Sequence, residues 1–129
     1  MKKFSLISII SMVLILSSGT LFSKDKEFIG YLCDKACAKA GISADIKANL
    51  ITNPEKHTVM CMKDCKDSGF GLMIKQSDGK YKFYKFDENG DKLALSILNK
   101  TKKTDNIKLK VNGSMMDEMI MVKSMMEKK

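Results

Sequence analysis

Hydrophobic and polar residues alternate with period two in the second half of the chain, which predicts β-strands. The segments 70–76 (FGLMIKQ) and 80–86 (KYKFYKF) are joined by an Asp-Gly pair, which favours the positive φ angles of a hairpin turn. Residues 106–113 (NIKLKVNG) alternate large aliphatic residues with lysine, and their closing Asn-Gly pair predicts a turn into a last strand at 118–126. An earlier apolar segment, 28–33 (FIGYLC), can begin the sheet.

Other segments have the composition of helices. Residues 34–41 (DKACAKAG) predict a short helix that ends at its glycine. A serine precedes 44–52 and predicts a capped second helix. A third helix is expected over 54–69, starting at a proline. Residues 87–91 (DENGD) predict a turn, and 92–100 (KLALSILNK) a short amphipathic helix.

The order of these elements is strand, helical insert, two strands, helix, two strands. It predicts an α+β fold, a small five-stranded OB-like β-barrel in which a helix joins strands three and four. The cysteine-bearing helical insert follows the first strand, at about 34–69. A β-meander with a helical hairpin would use the same elements.

Segments 28–33 and 70–126 resemble small exported bacterial OB-fold domains. The hairpin GLMIKQSDGKYKFYKFDENGD and the ending KVNGSMMDEMIMVKSM carry the resemblance, since the last strands of that class often follow V-x-V-x-G and then I-x-V-x-x-I. The resemblance implies ligand binding rather than catalysis. Some exported OB-fold proteins bind copper through methionines and a histidine on their strands; this chain is similar in size and location but has no tryptophan and no histidine on its strands.

Residues 1–23 have the layout of a secretory signal peptide. Lys2 and Lys3 precede an apolar run of 13 residues, and small residues then lead to Lys24. The run is shorter than the roughly 20 residues of a membrane-spanning helix, although a retained N-terminal anchor is the alternative. We therefore expect cleavage between residues 20 and 24 and a single domain over 24–129. The mature protein would be periplasmic or secreted, without a stable membrane anchor.

The charge of the chain argues against nucleic-acid binding. The formal net charge is +8, but every basic residue is a lysine, and nucleic-acid readers rely on arginine forks. The lysines are scattered, as on a solvated surface. With one histidine and no arginine, the chain also lacks the groups of most catalytic sites, so we predict that it is not an enzyme.

Four cysteines occur in two C-x-x-x-C motifs, CDKAC and CMKDC. In an oxidising compartment an even number of cysteines predicts disulfides. Pairing within a motif would distort its helix, because neighbours four apart have Cβ atoms too far apart. Antiparallel helices would form the nested pairs Cys33–Cys65 and Cys37–Cys61, which we expect; parallel helices would form Cys33–Cys61 and Cys37–Cys65.

A metal site is the competing interpretation of the same residues. His57, Cys61 and Cys65 are spaced four apart and would share one stripe of the predicted third helix. Thiolate, thioether and imidazole together suit Cu(I) or Zn(II), although packing also explains the methionines. The full candidate set is His57, Cys61, Cys65, Met60, Met62, Met119 and Met121.

The sequence thus predicts an exported small binding or interaction module stabilised by disulfides, without a cofactor. Its partner would be an envelope protein or a small ligand of unknown identity. Tyr81, Phe83 and Tyr84 are the candidates for a ligand-binding face on the strands. The alternative is an envelope metal-binding protein, with copper as the ion and Cu(I) carriage as its role.

Overall fold

The structure, a computed structural model, describes residues 24–129. The predicted signal peptide, residues 1–23, lies outside the described residues, so its cleavage stays a prediction. Among the described residues, no helix is long and apolar enough to cross a membrane.

Five strands form one mixed sheet that closes in a ring. They are paired in the order β1-β2-β3-β5-β4, with β4 also paired to β1. All neighbours are antiparallel except β3 and β5, which are parallel. The α+β class and the five predicted strands are confirmed. Their bounds are β1 Lys26–Asp34, β2 Phe70–Lys75, β3 Tyr81–Phe86, β4 Lys108–Met116 and β5 Met119–Glu127.

Within residues 24–129, three α-helices accompany the sheet, namely α1 Lys35–Ala40, α2 Val59–Asp64 and α3 Glu88–Lys100. The first confirms the helix predicted at 34–41. It ends at Gly41, whose φ of 73° is the left-handed conformation that glycine adopts without strain.

The helix predicted at 44–52 does not form. The segment makes turns, closed by an isolated bridge between Ile42 and Asn49. The Ser43 hydroxyl accepts a hydrogen bond from the backbone N–H of Ala48, and the Asn49 side chain accepts from that of Ile51. These side chains satisfy backbone donors that a helix would have used, which is how Ser and Asn favour turns.

The helix predicted over 54–69 is broken into three pieces. A 3₁₀ turn at Pro54–Lys56 precedes α2, and a second one at Lys66–Ser68 follows it. Between the first two pieces His57 and Thr58 are extended. Thr58 caps α2 by accepting a hydrogen bond from the backbone N–H of Cys61 at 3.1 Å. The predicted helical stripe of His57, Cys61 and Cys65 is therefore wrong, because His57 lies before the helix.

Two predicted turns are also wrong. Residues 87–91 begin α3, with Asp87 as its N-cap. The Asn112-Gly113 pair lies inside β4 at a bulge, and the turn into β5 comes at Asp117 and Glu118, whose φ angles are 47° and 63°. Two successive positive φ angles are the type I′ geometry of a tight hairpin.

The core has two parts, because successive residues of a strand point to opposite faces. The interior cluster fills the ring, with residues such as Leu32, Leu72 and Leu109, and α3 packs on it through Ala94 and Leu98.

The second part, which we call the outer cluster, lies between the insert and the outward face of β1, β2 and β3. Its partly buried members include aromatic side chains of these strands. The buried members are Cys33, Cys37, Leu50, Cys61 and Met73. On this outward face, Cys37, Leu50 and Cys61 of the insert thus pack with Cys33 and Met73 of the strands.

Candidate metal centre

All four cysteines lie together in the outer cluster. Cys33, Cys37 and Cys61 are buried, and Cys65 at the C-terminal end of α2 is half-buried. The Sγ atoms of Cys37 and Cys61 are 3.7 Å apart, whereas an S–S bond measures about 2.05 Å. The four residues are free thiols, so neither predicted disulfide is formed in this structure, although one predicted pair is in contact. The disulfides stay a prediction for the oxidised protein.

His57 is held by a buried carboxylate. His57 and Asp34 are 1% and 0% exposed, and His57 Nε2 lies 2.6 Å from Asp34 Oδ1. An ionised carboxylate can only accept hydrogen bonds, so Nε2 carries the proton and donates it to Asp34. The other oxygen, Oδ2, accepts from the backbone N–H of Cys37 at 2.8 Å. Asp34 therefore joins the end of β1, the start of α1 and the loop before α2.

The remaining ring nitrogen of His57 is left without a partner. Nδ1 is buried and has no hydrogen-bond partner among residues 24–129. A buried polar atom without a partner costs about 1–3 kcal/mol, so it calls for an explanation. A metal site would explain it, because a ring nitrogen of His57 and the sulfurs of Cys37 and Cys61 all lie within 4.8 Å of one another. The buried ring of His57 therefore lies beside sulfur donors rather than in solvent.

The thiols of Cys33, Cys37 and Cys65 are poor acids in the metal-free protein. Burial raises the pKa values of Cys33 and Cys37 well above the usual range, and the negative charge of Asp34 raises them further. Burial and Asp34 also raise the pKa of Cys65. Without a cation the sulfurs therefore stay protonated, and binding of a metal ion would displace their protons.

The donors of the site suit a soft ion. Thiolate and imidazole ligands select Zn(II), Cu(I) and similar ions, whereas Mg²⁺ and Ca²⁺ require several oxygens. Asp34, the carboxylate whose oxygens lie among these donors, accepts hydrogen bonds on both oxygens, from His57 and from the backbone N–H of Cys37. Its role matches that of the carboxylates that orient metal-bound histidines from behind.

The sequence identified part of this site. His57, Cys61 and Cys65 are brought into one cluster, but by a loop and a helix end rather than by a common stripe. Sequence reasoning assigned Cys37 only to a disulfide and missed Asp34. The available signal for Asp34 was its place directly before a short helix, where an aspartate caps the backbone with one oxygen and leaves the other free.

The methionines predicted as ligands do not join the cluster. Met60 is 69% exposed, and Met62 is buried in the interior cluster. Met119 and Met121 lie on the outward face of β5 and belong to neither cluster. The methionine that does pack with the cysteines is Met73 on β2, which no sequence pattern distinguishes from the other methionines.

The three aromatic residues predicted as a ligand-binding face do not all lie on one side of β3. Tyr81 and Phe83 pack against the outer cluster, whereas Tyr84 packs against the interior cluster. Alternation along β3 places Tyr84 on the opposite face from the other two. Tyr81 contacts the ring of Tyr31 edge-on at 5.8 Å, so its packing role is explained within the chain.

Comparison with known proteins gave no significant match among family models, curated sequences or solved structures.

Proposed function

We propose that the protein is an exported metal-binding protein that holds one soft metal ion through Cys37, Cys61 and His57. The observation that carries the proposal is the buried ring of His57, which has an unpartnered Nδ1 and a ring nitrogen within 4.8 Å of two sulfurs. The expected export and periplasmic or secreted location rest on residues 1–23 and belong to the same proposal.

The histidine supports this proposal because it needs no rearrangement to bind an ion. Asp34 already fixes the ring and its tautomer, and the free nitrogen is the one that a metal would bind. Histidine ligands in proteins are oriented in this way. The structural cost of burying Nδ1 without a partner would be relieved on binding.

The separation of the two sulfurs supports a tetrahedral ion. Zinc–sulfur bonds measure about 2.3 Å. Two sulfurs at that distance from one ion and 3.7 Å from each other subtend an angle of about 107°, close to the tetrahedral value that zinc adopts. We therefore propose Zn(II) ahead of the Cu(I) expected from the sequence. Two thiolates also balance the charge of a divalent ion in this buried position.

We further infer that the ring of strands is an OB-type barrel. The strand order β1-β2-β3-β5-β4, the parallel contact of β3 with β5, and a helix between β3 and β4 support this inference. In that fold the insert over 35–69 occupies the connection between the first two strands, and the site is built from this insert.

A disulfide-stapled binding module is the second candidate function. The 3.7 Å contact between Cys37 and Cys61 favours it, because a modest shift would allow this pair to oxidise. Its partner would be an envelope protein or a small ligand. The two functions exclude each other at any moment, since a sulfur in a disulfide is no longer a metal ligand.

A metal titration separates the two candidates. Reduced protein is titrated with Zn(II) and, separately under anaerobic conditions, with Cu(I), each against a chromophoric competitor. We expect one ion per chain and tighter retention of Zn(II) relative to a matched Cys₂His peptide. His57→Ala should weaken binding strongly, and the matched control Met60→Ala should not. A wild-type protein that takes up no ion when reduced, or a His57→Ala variant that binds normally, would refute the metal site.

A further inference from the structure

We propose that Cys65 completes the metal site as its one solvent-facing ligand, and that external thiols exchange with the ion at this position. The inference rests on the proposed function and deepens it. It assigns the site to metal exchange with a thiol-bearing partner, rather than to a closed structural role.

Cys65 is placed to reach the same ion as the buried ligands. Its sulfur lies within 4.8 Å of the sulfur of Cys37 and of an oxygen of Asp34. A tetrahedral ion bound by Cys37, Cys61 and His57 has one position left. Both oxygens of Asp34 already accept a hydrogen bond, from His57 and from the backbone N–H of Cys37, and a soft ion prefers a thiolate to a carboxylate. Cys65 is therefore the available fourth donor.

Exposure distinguishes Cys65 from the other cysteines. Cys33, Cys37 and Cys61 are 1%, 4% and 4% exposed, whereas Cys65 is half-buried. Cys65 ends α2 and is followed by the exposed residues Lys66 and Asp67. An incoming molecule would thus meet the ion from the side of Cys65.

Cys33 is the natural comparison, because its sulfur also lies within 4.8 Å of a ring nitrogen of His57 and of an oxygen of Asp34. It sits within β1, paired with Gly71 of β2. Its thiol donates a hydrogen bond to the backbone carbonyl of Asp34 at 3.3 Å. Unlike Cys65, Cys33 is 1% exposed and held within a strand, so its substitution provides a matched control for that of Cys65.

The exchange step is a ligand substitution without redox chemistry. The bond between the ion and Cys65 Sγ breaks as a bond from the ion to the incoming sulfur forms. The proton lost by the incoming thiol is taken up by Cys65. Charge and electrons are conserved, and Cys37, Cys61 and His57 keep hold of the ion throughout.

Chemical rescue tests this assignment. Zn(II) affinity is measured at free Zn(II) concentrations fixed by a metal buffer, with and without added 2-mercaptoethanol, for the wild type and for Cys65→Ser, Cys61→Ser and Cys33→Ser. We expect Cys65→Ser to bind one ion with an affinity lowered roughly tenfold or more, since even outer-shell partners of ligands are worth 10–100-fold. The added thiol should restore most of that loss.

The other variants give the contrast. Cys61→Ser should lose affinity without rescue, because a small thiol cannot reach a buried position, and Cys33→Ser should match the wild type. Wild-type affinity in Cys65→Ser, or a failure of the thiol to restore it, would overturn the inference while leaving the three-ligand site intact. A wild type that binds no Zn(II) would refute the proposed function, and with it this inference.

Discussion

Replacing Asp34 by asparagine tests the part of the site that holds the histidine. Asparagine caps a helix as well as aspartate does, and its oxygen can keep the hydrogen bond from the backbone N–H of Cys37, now 2.8 Å long. The amide NH₂ group then faces His57 Nε2, which lies 2.6 Å from the present carboxylate oxygen. Two donors would oppose each other at that contact.

The histidine can relieve this conflict only by changing its tautomer. The proton moves from Nε2 to Nδ1, so that Nε2 accepts a hydrogen bond from the amide. Nδ1 then carries a hydrogen and is no longer a metal ligand. We expect the Zn(II) affinity to fall by about 10–100-fold, which corresponds to about 1.4–2.7 kcal/mol. In the metal-free protein the substitution should lower the free energy of unfolding by about 1 kcal/mol, because a neutral hydrogen bond replaces a charge-assisted one.

Two measurements check the expected change. Competition with a chromophoric chelator gives the Zn(II) affinity, and nitrogen-15 NMR of the imidazole gives the tautomer of His57. Asp87→Asn is the matched control, because Asp87 caps α3 and accepts from the backbone N–H of Gly90 at 3.0 Å but has no part in the outer cluster.

The result that would refute this reasoning is an unchanged Zn(II) affinity in Asp34→Asn with His57 protonated on Nδ1. In that case the ion would not bind through Nδ1. An equal loss in Asp87→Asn would show that general destabilisation, rather than the histidine, lowers the affinity.

Three further predictions concern stability and export. In the reduced, metal-free protein the raised pKa values of Cys33 and Cys37 keep both thiols protonated, whereas unfolded thiols ionise above about pH 9. Denaturation at increasing pH should therefore show the free energy of unfolding falling by up to about 1.4 kcal/mol per pH unit for each thiol; a flat profile would contradict the burial argument. Leu50→Ala should lower the free energy of unfolding by about 2–5 kcal/mol because Leu50 is 0% exposed, while the exposed control Ile46→Ala should change it by no more than about 0.5 kcal/mol. Similar losses in both variants would contradict the assignment of Leu50 to the core. Intact mass of protein recovered from the cell envelope should show a chain beginning between residues 20 and 24, and a full-length chain as the sole product would exclude cleavage.

The strands were predictable because each has one face in the interior cluster, which imposes a period of two on the sequence. The segments 70–76 and 106–113 show this clearly. The bulge in β5 was not predictable, since the extra residue, Lys123, disturbs no obvious pattern. It moves Met125 to the interior side, opposite Val111, so Met125 does not share the outward face of Met119 and Met121.

The helical insert was harder to predict because local hydrogen bonds outweighed helix propensity. Ser43 and Asn49 turn the chain with their own side chains, and Thr58 starts α2 one residue after His57. The spacing of four therefore correctly predicted that His57, Cys61 and Cys65 are neighbours, but the common helical stripe from which it was inferred does not form.

The contact of His57 with Asp34 joins residues 23 positions apart, through the packing of the insert on β1. No local pattern encodes such a contact, so the residue that orients the histidine emerged only from the three-dimensional arrangement.

X-ray absorption spectroscopy of the Zn(II)-loaded, reduced protein tests the central claim most directly. The proposed site predicts sulfur neighbours at about 2.3 Å together with one imidazole nitrogen at about 2.0–2.1 Å, and the nitrogen signal should disappear in His57→Ala. A zinc shell made only of oxygen and nitrogen atoms, or a wild-type spectrum that His57→Ala leaves unchanged, would contradict it.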